Sequence, residues 1–416
     1  MAGETLIGGT GYGITGGKIL KDGVSYSVKN GKVLVNGTAY DILFGSSGGL
    51  TDVFWADHQY TQINCICYAN GYWVLGGERY NETTNQYAAI VAYATSPSGP
   101  WTVTNMWSST SKYQTINCVA YANGCWVAAG SKYYSAYLAY RSNTSPEGEW
   151  TLAQVSNNSS GGRYSKYWIT CLTYANNYWV LGGESDDSTS YGTIWYSKTP
   201  SSEWSIKTIY TNSSSSTDKA ITDIAYLNGY WIVCGQYYSS SATSHYIKLA
   251  YSTSLTGTWT TKNLNSSYSI SSPAIIYDGS YYVIAGRDYY SSGSSSGVRI
   301  YYSTSLTASS WSSKQIWDGA DTHVECFTYA NGYYVAGGTY YDGIIYYARI
   351  AYATSLTGTW TTMDLWGGTT GDQCIYDISY DNELWVVGGT SYNPNEKRFY
   401  GRIVYAPTIG GLYDAL

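Results

Sequence analysis

Tyr226-Leu-Asn-Gly-Tyr230-Trp231-Ile-Val-Cys-Gly235, followed by Ile247-Lys-Leu-Ala-Tyr251-Ser-Thr-Ser-Leu-Thr-Gly-Thr-Trp259-Thr, decides the fold, because the chain repeats it seven times. With the first Tyr as register mark, the copies fall at Tyr68, Tyr121, Tyr174, Tyr226, Tyr277, Tyr329 and Tyr380, 51 to 53 residues apart. A period of that length and regularity marks a repeat architecture. Within a copy, an alternating apolar run such as Ile221-Thr-Asp-Ile-Ala-Tyr226 meets an Asn-Gly turn and a second run leaves it, the signature of a β-hairpin. A variable polar loop, a third run (Ile247 to Tyr251), a Ser/Thr/Gly turn and a fourth run opening at Trp259 complete the unit. Four antiparallel strands repeated seven times predict an all-β, seven-bladed β-propeller.

The seventh copy supplies three strands (Cys374 to Tyr380, Leu384 to Val387, Arg402 to Ala406) and stops without a Trp-Thr strand. Leu50-Thr-Asp-Val-Phe-Trp55 precedes the first copy as Thr102-Val-Thr-Asn-Met-Trp107 precedes the second. Residues 50–55 are therefore expected to close the last blade, covering an edge that would otherwise invite aggregation. Residues 1–44 carry a different repeat: Gly9-Thr-Gly-Tyr12-Gly-Ile14, Gly23-Val-Ser-Tyr26-Ser-Val28 and Gly37-Thr-Ala-Tyr40-Asp-Ile42. Its Gly-Gly, Asp-Gly and Asn-Gly pairs predict a meander of about five short strands. So small a sheet buries little alone, which suits an attachment or oligomerisation element. The expected division is 1–44 as that region, 45–49 as a Gly/Ser linker and 50–416 as the propeller.

Composition narrows the function. The net charge of −6, with 22 Lys+Arg, argues against nucleic acid, which needs a basic stripe. No run is apolar enough to insert in a membrane, and Met-Ala-Gly-Glu-Thr lacks the pattern of a signal peptide, predicting cytosolic synthesis before any display on a virion or outside the cell. Cys65, Cys118, Cys171 and Cys326 share one place in the first strand, where other copies have Asp223, Ala274 and Asp377. They read as small buried residues, since no zinc spacing accompanies them and neighbouring blades stand too far apart for disulfides. No metal or other cofactor is called for.

The irregularity of the chain falls on one face. Turns between strands one and two and between three and four are short and uniform, whereas the two-to-three loops and the connections between copies differ everywhere. The variable set is rich in Tyr, Ser, Asn and Gly, the composition of antibody combining loops. Candidate ligand-binding residues on that face are Tyr80, Tyr133, Tyr134, Tyr167, Trp168, Trp195, Tyr237, Tyr238, Tyr289, Tyr290, Tyr340, Tyr341 and Tyr392. Arg299, Arg349 and Arg402, with Lys248, recur in strand three of adjacent copies. They read either as an anion-binding arc or as cations packed on Tyr and paired with Asp. Asp223 and Asp377, with Glu325 one residue out of register, lie on innermost strands and approach the axis. No nucleophile–His–carboxylate pattern emerges, so no catalytic residue is assigned.

The turn Ser252-Thr-Ser-Leu-Thr-Gly257-Thr-Trp259 resembles the Asp-box of bacterial neuraminidase repeats, Ser-x-Asp-x-Gly-x-Thr-Trp, with Ser254 for the Asp and the Gly displaced by one. That resemblance implies a sialidase-like propeller in which the box is a structural turn away from the active face. The Ala-Tyr-x-Asn-Gly-x-Trp wording also resembles propellers of phage tail and adhesion proteins, and the N-terminal repeat is similar to segments of phage tail proteins. The reading that follows is a phage tail-fibre or surface protein. It would bind a bacterial surface polysaccharide through the Tyr/Ser/Asn face and join other virion proteins, or copies of itself, through residues 1–44. The alternatives are a glycoside hydrolase of sialidase-like fold and a scaffold for protein–protein contacts.

Overall fold

The computed structural model describes residues 3–414 except 8–9, 16–17, 22–23, 30–31, 36–37, 42–48, 53–59, 111, 113, 156–164, 188–189, 211–218, 240–243, 265–273, 289–296 and 320–321, with side chains from residue 60 onward except at 165–166, 186–187, 190, 219, 238–239, 244–245, 288 and 414. The chain forms an all-β propeller of four-stranded antiparallel blades. Repeats 2 to 6 each fold as a separate sheet in simple meander order, as in repeat 4: Lys219–Leu227, Tyr230–Ser239, Ser244–Ser252 and Thr260–Asn263. The Asn-Gly hairpins hold both central residues at positive φ, Asn228 at 49° and Gly229 at 83°. Those angles give the turn whose twist matches that of the strands.

Seven repeats predict seven separate blades, and that count is corrected. Five four-stranded sheets stand apart, while repeats 1 and 7 share one eight-stranded sheet. The cause is local: Phe399 in the third strand of repeat 7 makes a parallel bridge to Tyr60 at the start of repeat 1. Thr61 reinforces the join, accepting the Gly401 amide on Oγ1 at 2.7 Å and the Thr390 hydroxyl on its carbonyl at 3.0 Å. Gly49–Asp52 pairs antiparallel with Arg398–Ala406 on the outer side, Leu50 opposite Val404. Residues 3–41 form a six-stranded meander of their own.

The register tyrosine has one structural job throughout. It faces the buried aromatic near the start of strand two, with ring centroids 4.5 to 5.0 Å apart in all seven repeats, from Tyr68 and Trp73 to Tyr380 and Trp385. Such cross-strand aromatic pairs are the stabilising unit of a sheet. In the three-to-four turn, the Trp259 indole donates to the Leu255 carbonyl at 3.4 Å. Ser254 Oγ, in the place of the Asp-box carboxylate, accepts the Thr256 amide at 3.3 Å.

Strand one carries a bulge in six repeats, between Ile63 and Cys65, Ile116 and Cys118, Ile169 and Cys171, Ile221 and Asp223, Val324 and Cys326, and Ile375 and Asp377. A bulge re-aims the extra residue. Here the extra residues are Asn64, Asn117, Thr170, Thr222, Glu325 and Tyr376, and all of them line an axial cavity of about 550 Å³. The cysteines sit directly after the bulge, buried and free, with burial pushing their thiols up. A strand-two glycine covers the sulfur in repeats 1, 3 and 6, as Gly182 does Cys171.

Candidate functional site

The ends of strand two and the starts of strands one and three surround a groove of about 470 Å³ on the variable face. Tyr60, Glu78, Tyr80 and Tyr87 come from repeat 1, Thr115, Asn117 and Ser131 from repeat 2, Trp168 from repeat 3, and Lys112 from the connection between the first two. Tyr80 and Tyr87 are directly opposed in register and stack at 4.4 Å with an interplanar angle of 28°. Their arrangement is fixed from outside, where Tyr80 Oη donates to Asn85 Oδ1 at 3.1 Å.

The polar floor has two features that a purely structural surface does not need. Ser131 is 1% exposed and its Oγ has no hydrogen-bond partner, although it faces the groove. A buried hydroxyl without a partner costs about 1–3 kcal/mol, a deficit that a bound polar group would remove. Beside it in the ring of repeats, burial pushes the Glu78 carboxyl up to about 7, against hydrogen bonds from Thr115 and Tyr60 that favour its ionised form. Tyr60 is raised in turn, first by burial and then by Glu78.

The floor is braced toward the axis by a chain of bonds running one way. Tyr60 Oη donates to Gln62 Oε1, Gln62 Nε2 to Asn64 Oδ1 at 2.6 Å, and Asn64 Nδ2 to Thr115 Oγ1 at 2.8 Å. Thr115 Oγ1 donates to Asn117 Oδ1 at 3.1 Å, and Asn117 Nδ2 to the Ile169 carbonyl at 2.6 Å. Three repeats thus share one polar belt, and the groove and the axial cavity share Asn117 as a wall. Deeper in, Tyr376 feels both Glu325 and Glu78, after the larger effects of burial, Cys374 and Tyr60.

Asp223 and Asp377 reach the axial cavity as their position suggested. Both act as bridges between repeats. Asp377 accepts the amides of Ile66 (2.7 Å) and Ile378 (2.8 Å), and Asp223 those of Ile275 and Ile224, each at 2.8 Å. Burial nevertheless raises each to about 6.

Of the aromatic candidates, Tyr80 and Trp168 line the groove. Tyr133 is 58% exposed and lies 5.0 Å from Tyr134, whose ring is 6.5 Å from Trp168, extending the aromatic surface past the groove. Trp195 is corrected: at 1% exposure it belongs to the core, with Tyr167 edge-on against it at 6.4 Å. Tyr341 stacks on Tyr346 at 4.5 Å, and Tyr392 packs on Phe399 at 4.9 Å. The side chain of Tyr238, and Tyr289 and Tyr290 altogether, lie outside the described residues.

The cations divide between the two readings in favour of packing. Arg349 forks onto Asp364 at 2.6 and 2.8 Å and lies 3.4 Å above the Tyr340 ring. Lys248 sits 3.8 Å above Tyr237, and Arg299 reaches Ser313 Oγ at 3.5 Å. Arg402 stands opposite Asp52 of the closing strand. These contacts hold strand three to its neighbours and form no shared anion pocket among the described residues.

Sequence reasoning missed Tyr60, Glu78, Tyr87, Lys112 and Ser131. A signal was present one residue beyond the strand-two glycine, where the otherwise uniform repeats read Glu78, Ser131, Glu184, Gln236, Arg287, Thr339 and Thr390.

No family model matches the chain, and no curated protein does. Among solved structures, it is similar to the polysaccharide lyase Uly1 at 8% identity and a TM-score of 0.54, over 84% of this chain and 90% of that one. It also matches Trypanosoma rangeli sialidase in complex with sialic acid at 13% identity and a TM-score of 0.47, over 69% of this chain. A thermostable family-43 glycoside hydrolase matches at 13% and 0.38, over 58% of this chain and 88% of that one. The chain spans about half (53%) of the sialidase's length. At these identities the likeness concerns fold.

Proposed function

We propose that this propeller is glycan-directed and that the groove between repeats 1, 2 and 3 is its saccharide site, with the eight-stranded sheet serving as the sixth and seventh blades of a closed ring. The observation that carries the reading is Ser131, a buried hydroxyl without a partner on the floor of an aromatic-walled groove. Sugars present apolar faces that stack on Tyr and Trp, with hydroxyls at their edges that complete such a donor or acceptor. The polysaccharide lyase adds support by analogy of fold alone.

Of two glycan activities, cleavage has the better support. A carboxyl raised to about 7 in a half-buried groove has the affinity for a proton that a general acid needs near neutrality. Passive attachment from a phage particle, with residues 1–44 joining virion partners, rests on the wording of the repeats and the aromatic face. It remains the proposal for where the glycan would be met.

The test is retention on a panel of bacterial surface polysaccharides, with released sugars followed by mass spectrometry. Trp168→Ala is expected to weaken binding about ten-fold through loss of a stacking wall. Ser131→Ala should weaken it about five-fold, the scale of one hydrogen bond. Retention with release would assign cleavage, and retention alone attachment. If both variants bind like the parent protein, the groove is not the site.

A further inference from the structure

Glu78 has donors rather than cations for company. Tyr60 and Thr115 stand beside it on the first strands of repeats 1 and 2, their hydroxyls donating to Gln62 and Asn117, and Tyr80 and Tyr87 wall the groove on its own sheet. On the axis side the titratable neighbours are Tyr376 and, beyond it, Glu325. Two cations are near in sequence or space. Arg79 follows Glu78 but donates to Asn105 Oδ1 at 2.7 Å, on the fourth strand of the same repeat. Lys112 lines the groove from an exposed position, where water and salt screen it. Among the described residues the interior therefore offers no desolvated positive charge to a ligand's carboxylate or sulfate, while an anion there would meet a carboxyl at close quarters. Uncompensated charge in such a cavity is costly.

We propose that the groove selects uncharged glycans, with Glu78 in its protonated form donating a hydrogen bond to a sugar oxygen next to the Ser131 hydroxyl. This rests on the saccharide reading above and adds the class of sugar and its pH dependence. When Glu78 loses its proton, Tyr60 and Thr115 turn their hydroxyl protons from Gln62 and Asn117 to the carboxylate, the donor to the ligand is gone, and a negative charge faces the sugar.

With a proton affinity near 7, the protonated fraction falls about ten-fold between pH 6 and pH 8. The association constant for a neutral glycan is expected to fall by about that factor over the same range.

The experiment compares matched pairs that share linkage and differ in charge, such as methyl-esterified and de-esterified polygalacturonan or amylose and its 6-carboxyl derivative, alongside the bacterial panel. Calorimetry is run at pH 6 and pH 8 on the full chain and on Glu78→Gln. The amide keeps a donor and cannot ionise, so the variant should bind the neutral member within about three-fold of the parent at pH 6 and lose the pH dependence. A merely structural Glu78 would leave the dependence in place. Preference for the charged member, or a parent affinity that is flat with pH, overturns this inference and leaves the saccharide reading standing. Binding to no glycan, neutral or charged, overturns both.

Discussion

Gly183→Ala is expected to lower stability by about 4 kcal/mol or more, at the extreme of single substitutions, measured as the urea midpoint of the full chain. A Cβ on Gly183 would collide with the Trp168 carbonyl oxygen and come within 3.1 Å of Ile169 Cα. Both are backbone atoms, so no side chain can swing aside. The approach is this close because strand one bulges immediately afterwards, between Ile169 and Cys171, and the bulge drives its preceding carbonyl into strand two. Gly77, Gly130, Gly235, Gly338 and Gly389 meet the same carbonyl in their own repeats. Only glycine permits such an approach inside a strand. Relief would straighten the bulge, withdrawing Thr170 from the axis and Trp168 from the groove. Gly367→Ala, where nothing lies within 4 Å of the added carbon, is the control and should stay within about 0.5 kcal/mol. If Gly183→Ala matches that control, the account of the bulge is wrong.

That glycine shows what kind of information the chain carries openly. The Asn-Gly turns, the Tyr–Trp pair and the indole-locked Ser/Thr turn are local devices written in adjacent residues, so repetition alone reveals them. The positions that build the groove are also local, but their partners are not. Glu78 is given its environment by Thr115 and Tyr60, and Tyr60 is placed by Phe399 at 5.4 Å from the opposite end of the chain. Nothing near Glu78 in sequence announces that closure. Trp195 misleads for the converse reason: it is singular among the repeats because it fills a hole between repeats 2 and 3 beside Leu138 and Ile169, which periodicity cannot distinguish from display to a ligand. Arg349 is ambiguous in sequence because Asp364, which meets its fork, stands on the fourth strand of the same repeat, 15 residues away. The merging of two repeats into one sheet turns on a single parallel bridge at Tyr60, a tertiary detail that two well-formed repeats do not predict.

The protein is expected to be more stable at pH 4.5 than at pH 7.5, by about 3 kcal/mol, the reverse of a protein held by ionised surface pairs. Asp223 and Asp377 are raised by burial from 3.8 to about 6, and Glu78 from 4.5 to about 7. Each therefore holds its proton more tightly folded than unfolded. Between pH 4 and pH 7 the unfolded chain has released protons that the native chain retains, so stability falls as pH rises through that window and levels off above it. A carboxyl that binds its proton about a hundred-fold more tightly in the folded chain contributes about 3 kcal/mol when fully desolvated. The axial cavity gives both aspartates access to water, which reduces each to about 1–2 kcal/mol. Asp342 works in the opposite direction, its carboxyl lowered by the Ile345 and Ile344 amides, but it lies fully exposed on a loop. Urea midpoints across the window test the slope, and Asp223→Asn with Asp377→Asn should reduce it to the share left by Glu78 while costing stability at every pH. An amide can accept one of the two backbone donors but turns its own N–H toward the other. A flat profile between pH 5 and pH 7, with stability lost only below about pH 4, would show that the aspartates are ionised throughout and held by the amides of Ile66, Ile378, Ile275 and Ile224. Because Asp377 ties the last repeat to the first, the falling slope, if found, measures how firmly the ring is closed as well as how well it is packed. It should then appear equally in hydrogen exchange at the Ile66 amide.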